Sequence, residues 1–255
     1  MKWSAAIFSS LILILILLIY YWDNLIHGVK YSAYNTKSVA PCQNCEEYQV
    51  HRAHDGGKEA AKLLSEINSR NSTLLKHLEG KYIKYPSAPQ LDPTKSNRID
   101  VIPGTEMYDS IDGHDIVDLL KNPMNKEYLQ ERISQLLNNY DSKYIYEISP
   151  KNTDNATSYT EDKKILVLCL RHKKPDTQGK YNLHDINTMM FVVLHELTHM
   201  ANKSWGHPPD FWILFKFLLL NAIEAGIYNA VDYGKHPINY CGLWLHYNPI
   251  FDDKI

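Results

Sequence analysis

The longest apolar run of the chain lies at its start. Ala5 to Tyr21 is broken only by Ser9, Ser10 and two terminal tyrosines, Leu11 to Ile19 is wholly aliphatic, and Trp3 and Trp22 stand at its edges. Such a run is long enough to cross a bilayer, with aromatics suited to the two interfaces. The residues after it, Tyr20-Tyr21-Trp22-Asp23-Asn24-Leu25, offer nothing small for signal cleavage. The pattern predicts an uncleaved, single-pass transmembrane helix that meets the lipid bilayer through residues 5–21. Phe211 to Val231 is the next most apolar stretch, but Lys216, Asn221 and Glu224 interrupt it, so it reads as a buried core helix.

Helical periodicity recurs further on. Ala60, Leu63, Leu64, Ile67, Leu74, Leu75 and Leu78 predict a helix over 57–79, stopped by Gly80. Tyr128, Leu129, Ile133, Leu136, Leu137 and Tyr140 predict a second over 127–140. Between them, 84–114 is rich in Pro, Asp, Ser and Gly and reads as irregular, and Ile116 to Leu120 as a short helix closed by Asn122-Pro123. Tyr144 to Ile148 and Lys164 to Leu170 read as strands, separated by a loop from Pro150 to Glu161. Asn182 can then cap a helix, with Asp185 near its positive end, running through Ile186, Met189, Met190, Val193, Leu194 and Leu197 to about Met200. The apolar helix after it starts near Asp210. The order is that of an α+β domain. It divides into an anchor at 1–22, a polar tether at 23–55 and a domain at 56–255 whose core spans 120–255.

Composition narrows the partners. The formal net charge is -2, so no basic field points to a nucleic-acid partner. Richness in Lys, Asn, Ile and Tyr suits an AT-rich genome such as that of a large DNA virus, which with the anchor makes a virion or host membrane the expected location. Of four cysteines, Cys42 and Cys45 form a lone C-x-x-C, which reads as a local disulfide or two free thiols, since a structural zinc site would need further ligands. Sequons occur at Asn71, Asn155 and Asn202.

The chemistry concentrates in Val193-Leu194-His195-Glu196-Leu197-Thr198-His199-Met200, which contains H-E-x-x-H. On a helix, positions i and i+4 share a face, so both imidazoles can reach one metal while Glu196 reaches a metal-bound water. Four polar residues in an apolar helix are costly unless something binds them. A catalytic zinc usually has a third protein ligand and an open position. His207 is the leading candidate, since Gly206 lets the chain turn sharply before it. Glu224, Asp210, His236 and His246 are the alternatives, Asp210 also fitting as the N-cap of the next helix. Tyr233, Tyr240 and His246 follow that helix and are candidates to stabilise an oxyanion.

Ile165 to Arg171, a loop, the helix with His195-Glu196-Leu197-Thr198-His199 and then His207-x-x-x-Phe211-Trp212 resemble the WLM and SprT-like zinc metallopeptidases and their YgjP-type relatives. The resemblance covers roughly residues 160–220. The gap before His207 is two residues longer here than is usual in WLM proteins. The resemblance implies a small zincin-like metallopeptidase domain with a short β-sheet and the H-E-x-x-H helix, one Zn2+ held by His195, His199 and His207, and Glu196 as general base. It implies a protein or peptide substrate lying along the strand before the motif helix, with Leu168, Leu170 and Arg171 as contacts. A reading from another class is a catalytically silent structural protein of a virion membrane that keeps the fold for its shape.

Overall fold

The computed structural model describes residues 34–84, 126–149 and 157–255, together with Ile12. Most of the N-terminal run, the irregular stretch after Lys84, the short helix expected at 116–120 and the first part of the loop from Pro150 lie outside the described residues. Among those described, no helix is long and apolar enough to cross a membrane. The anchor and the single-pass membrane location expected from residues 5–21 thus find no such helix among the described residues, and the run itself, Ile12 apart, lies outside them.

The domain is mixed α/β. One five-stranded sheet has the order β1-β2-β3-β5-β4, where β1 is Thr36–Val39, β2 Tyr48–His51, β3 Ile145–Glu147, β4 Tyr159–Glu161 and β5 Ile165–Leu168. β2, β3 and β5 run parallel, and the outer strands β1 and β4 pair antiparallel. Sequence periodicity shows two of these strands. The other three, of four, four and three residues, carry polar residues that break up any apolar run, whereas β5 is apolar throughout. The expected tether at 23–55 therefore supplies two strands of the sheet. β5 is apolar at every position because it is buried on both faces.

Four helices pack with this sheet: α1, Gly57–Leu78; α2, Lys126–Asn139; α3, Ile186–Ala201; and α4, Pro209–Glu224. α1 lies against β1 and β2, and α3 against β4, α1, α2 and α4. α3 is buried along nearly its whole length because neighbours cover it on several sides. Its cap is Asp185, whose carboxylate accepts from the Thr188 amide at 2.9 Å, while Asn182 bonds Asp176 instead. At its other end the free carbonyls are met from α2. Asn139 Nδ2 donates to Met200 O at 2.9 Å, and Gln135 Nε2 to Met200 O and Asn202 O at 3.3 Å each. These bonds hold the last turn of α3, which carries His199.

The C-terminal segment, expected as loop, forms a hairpin of β6, Ile238–Tyr240, and β7, Leu243–Leu245. Its two-residue turn is Cys241-Gly242, with φ of 48° and 86° as such tight hairpins require. A Cβ on Gly242 would come within 2.7 Å of Lys173 Cδ. All four cysteines are paired: Cys42 with Cys45, and Cys169 at the end of β5 with Cys241.

His184 packs beside this second disulfide, only 5% exposed, with its ring 4.0 Å from that of His172. Burial, helped by the charge of His172, pushes its pKa down to about 4. The unfolded chain, with an ordinary value near 6.5, then binds more protons than the fold between those limits, so stability falls as pH drops through that window. For this one group we expect a loss of about 2 kcal/mol between pH 7 and pH 5. Urea unfolding at the two pH values measures it, and His184→Phe should shrink the difference by that amount.

Candidate metal centre

Three imidazoles converge at the surface end of α3. His195 and His199 leave one face of the helix four residues apart. Gly206, at φ 74°, turns the chain so that His207 faces them. The possible ligand atoms of His195, His199 and His207 all lie within 4.8 Å of one another, with His195 Nε2 and His207 Nε2 2.9 Å apart. Among the described residues this is the one cluster of three or more metal-type side chains. Phe211, fully buried, lies under all three, with ring centroids 4.9, 4.6 and 4.6 Å from His195, His199 and His207. Trp212 borders His207 at 5.7 Å. The spacing of Phe211 and Trp212 after His207 thus builds the floor of the cluster.

Three neutral nitrogen donors this close fit a zinc ion that keeps one open position. Burial and mutual repulsion favour the neutral, ligating form. They lower His195 to about 3 and His199 to about 4, and burial lowers His207. Glu196 is 5% exposed, and burial raises its carboxyl to about 7 against the pull of Thr160, whose hydroxyl donates to Oε2 at 3.0 Å. A carboxylate with a value near neutrality suits a general base.

The rival ligands are elsewhere. Glu224 is paired with Lys81 at 2.6 Å and His77 at 3.5 Å. Asp210 sits in the first turn of α4, whose N-cap is Pro208, and accepts from Tyr128 Oη at 3.5 Å. His236 and His246 are outside the cluster, the latter bonded to the Trp244 carbonyl. Of the three oxyanion candidates, Tyr240 alone lines the cavity at the histidines, and its hydroxyl donates to Cys169 O at 2.8 Å. Asn202, buried at 1% exposure, leaves no room for a glycan in the fold, and neither does Asn71 at 0%.

The cavity has a volume of about 440 Å³. It is lined by α3 residues from Phe191 to His199, by Thr157 to Thr160, by the loop from Ser204 to His207 and by residues of the β6–β7 hairpin. This corrects the expected substrate contacts. Leu168, Leu170 and Arg171 are buried and do not line it, because β4 covers β5 and is itself the sheet edge beside the histidines. Arg171 instead pairs with Glu147, Nε to Oε1 2.7 Å, both fully enclosed. The hairpin wall has a signal that periodicity misses: Cys241-Gly242 between two short apolar runs.

Lys163, in the β4–β5 turn at φ 57°, ties this turn to the ligand loop. Its ammonium donates to Asn202 O, to Lys203 O at 2.9 Å and to Ser204 O at 3.1 Å, and lies 5.0 Å from the Trp205 ring centroid. It thereby holds the segment that aims His207. On the reading that the three histidines hold zinc, Lys163→Met should weaken that binding about tenfold, the usual order for losing a residue that orients a ligand. Competition with a chromophoric chelator reads this out.

No family model matches the chain, and no solved structure matches it. It is similar to uncharacterised proteins of three viruses. One, of Acanthamoeba polyphaga mimivirus, is 39% identical over 129 residues, 49% of this chain and 61% of that protein. A protein of invertebrate iridescent virus 6 is 37% identical over 91 residues, 36% of this chain and 48% of the relative. One of invertebrate iridescent virus 3 is 40% identical over 95 residues, 36% of this chain and 54% of the relative. The chain thus spans about half to three fifths of the length of these relatives.

Proposed function

We propose that this protein is a zinc-dependent metallopeptidase. The observation that carries the reading is the convergence of His195, His199 and His207 within 4.8 Å beside the buried Glu196, on the floor of an open cavity. Zinc, when bound, supplies a water of lowered pKa and a Lewis acid for the scissile carbonyl. His195, His199 and His207 hold it through neutral ring nitrogens. Glu196 takes the proton of the attacking water and returns it to the leaving amine. Thr160, bonded to the Glu196 carboxylate and to its backbone carbonyl at 3.1 Å, fixes the direction of that carboxylate. β4 is the outer strand of the sheet and half-buried, and we place an extended peptide substrate beside Tyr159 and Thr160. A scaffold that keeps the fold for shape has no use for a carboxylate buried next to three imidazoles, and burying it is costly.

The test is metal content with peptide hydrolysis on the purified full chain. One zinc per chain, sharply weakened binding in His207→Ala, and cleavage of a peptide mixture abolished by chelation and restored by zinc are expected. Folded protein that takes up no zinc would overturn the reading in favour of a silent scaffold.

A further inference from the structure

Large apolar side chains in water are informative when they cluster. Within residues 34–255, the described ones left exposed are Trp205 at 72%, Leu243 at 53% and Trp244 at 59%. Trp205 and Leu243 line the same cavity, the first from the loop before His207 and the second from the hairpin, and Trp244 follows Leu243. Strand alternation and the pairing of Tyr240 with Leu243 put Tyr240, Leu243 and Leu245 on one face of the hairpin, toward the cavity. Phe191 and Val192 face them from α3, and Phe191 stands one turn before His195. The hairpin side of the lining is therefore apolar and aromatic. Among the described lining residues the one lysine is Lys163, which is bonded to the loop before His207 and lies beside Trp205.

The apolar wall is also held in place. The Cys169–Cys241 disulfide joins the hairpin turn to the end of β5. Beside it the Tyr240 hydroxyl bonds Cys169 O and Ser158 Oγ. A rigid wall loses little freedom when it is covered, so contact with it translates efficiently into binding. The cavity volume of about 440 Å³ falls within the range of ligand sites, and it is concave, unlike a face that pairs two proteins.

Building on the peptidase reading, we propose that the hairpin lining of the cavity is a side-chain subsite selecting peptides with a large apolar residue (Leu, Met or Phe) adjacent to the scissile bond, with Leu243 and Leu245 as its specificity-determining residues. Apolar surface there is buried against apolar surface. An acidic side chain would be desolvated near the Glu196 carboxylate with no lysine or arginine beside the hairpin among the described lining residues to receive it. The preference for Leu over Ala should be about 10- to 100-fold in kcat/KM.

The test is cleavage of a peptide set differing at one position (Ala, Leu, Phe, Asp, Lys) by the zinc-loaded full chain, quantified by mass spectrometry. Wild type should favour Leu and Phe over Ala at least tenfold and Asp least. In Leu243→Ser and Leu245→Ser the Leu-to-Ala ratio should fall toward one, with zinc content unchanged. A readout without turnover is calorimetric binding to the zinc-loaded Glu196→Gln chain, where the Leu peptide should bind more tightly than the Ala peptide by a similar factor. Equal cleavage of the Ala, Leu and Asp peptides would overturn the subsite and leave the peptidase reading standing. No hydrolysis of any peptide by zinc-loaded protein would overturn both. A dimer in sedimentation that Leu243→Ser dissociates would make the hairpin a self-interface and also overturn the subsite.

Discussion

Glu196→Gln should retain one zinc per chain and lose peptide hydrolysis by a factor of about 10² to 10⁴ or more, the range for removing a positioned general base. Glutamine keeps the volume of the side chain and can still meet the Thr160 hydroxyl, which bonds Glu196 Oε2 at 3.0 Å. What it cannot do is accept a proton from water. Since Glu196 is outside the three-histidine cluster, zinc uptake is the internal control for folding. The informative measurement is kcat/KM on one peptide beside metal content for both proteins. A variant that keeps zinc and full activity would remove Glu196 from the chemistry and leave the cluster a metal site of another kind. A variant that loses zinc as well would show that the buried carboxylate supports the histidines structurally.

Glu147→Leu should cost about 3–5 kcal/mol of stability, because it leaves the Arg171 charge buried without its partner. Glu147 is 0% exposed and Arg171 3%. The carboxylate accepts from Arg171 Nε at 2.7 Å and from the His51 amide at 2.8 Å. The guanidinium also reaches Tyr181 O at 3.1 Å and Gly56 O at 3.4 Å. One ion pair thus joins β2, β3, the end of β5 and the start of α1. Replacing both residues by leucine should recover much of the loss, since a buried pair exchanged for apolar groups is often neutral. Denaturant unfolding of the two single variants and the double variant gives the coupling. A near-additive result would contradict a closed structural pair and return Arg171 to the list of substrate contacts.

The two sides of the candidate metal centre differ in how far they can be read from residues alone. His195, Glu196 and His199 lie within one helical turn, and the helix is announced by the spacing of Met189, Met190, Val193 and Leu197. Their mutual geometry follows from backbone periodicity. His207 was legible for a similar reason, as Gly206 needs the positive φ of 74° that it adopts and Phe211 and Trp212 follow at fixed spacing. The edge strand was misplaced by one position in the sheet. Residues 159–161 are only three, and they hide the longer, more apolar β5 that seemed fit to meet a substrate.

The amino-acid sequence by itself determined helices α1 to α4, the apolar run that becomes β5 and the H-E-x-x-H motif, because each shows in a pattern of residues close along the chain. Only the tertiary structure decided that residues 36–51 belong to the sheet, that β4 is its edge, that Glu224 serves Lys81 and His77, and that Cys169 meets Cys241 across a sequence separation of 72. These pairings join segments with no local preference for one another. They are selected by what the whole fold can bury and still satisfy with hydrogen bonds, a sum over distant residues that no short window contains.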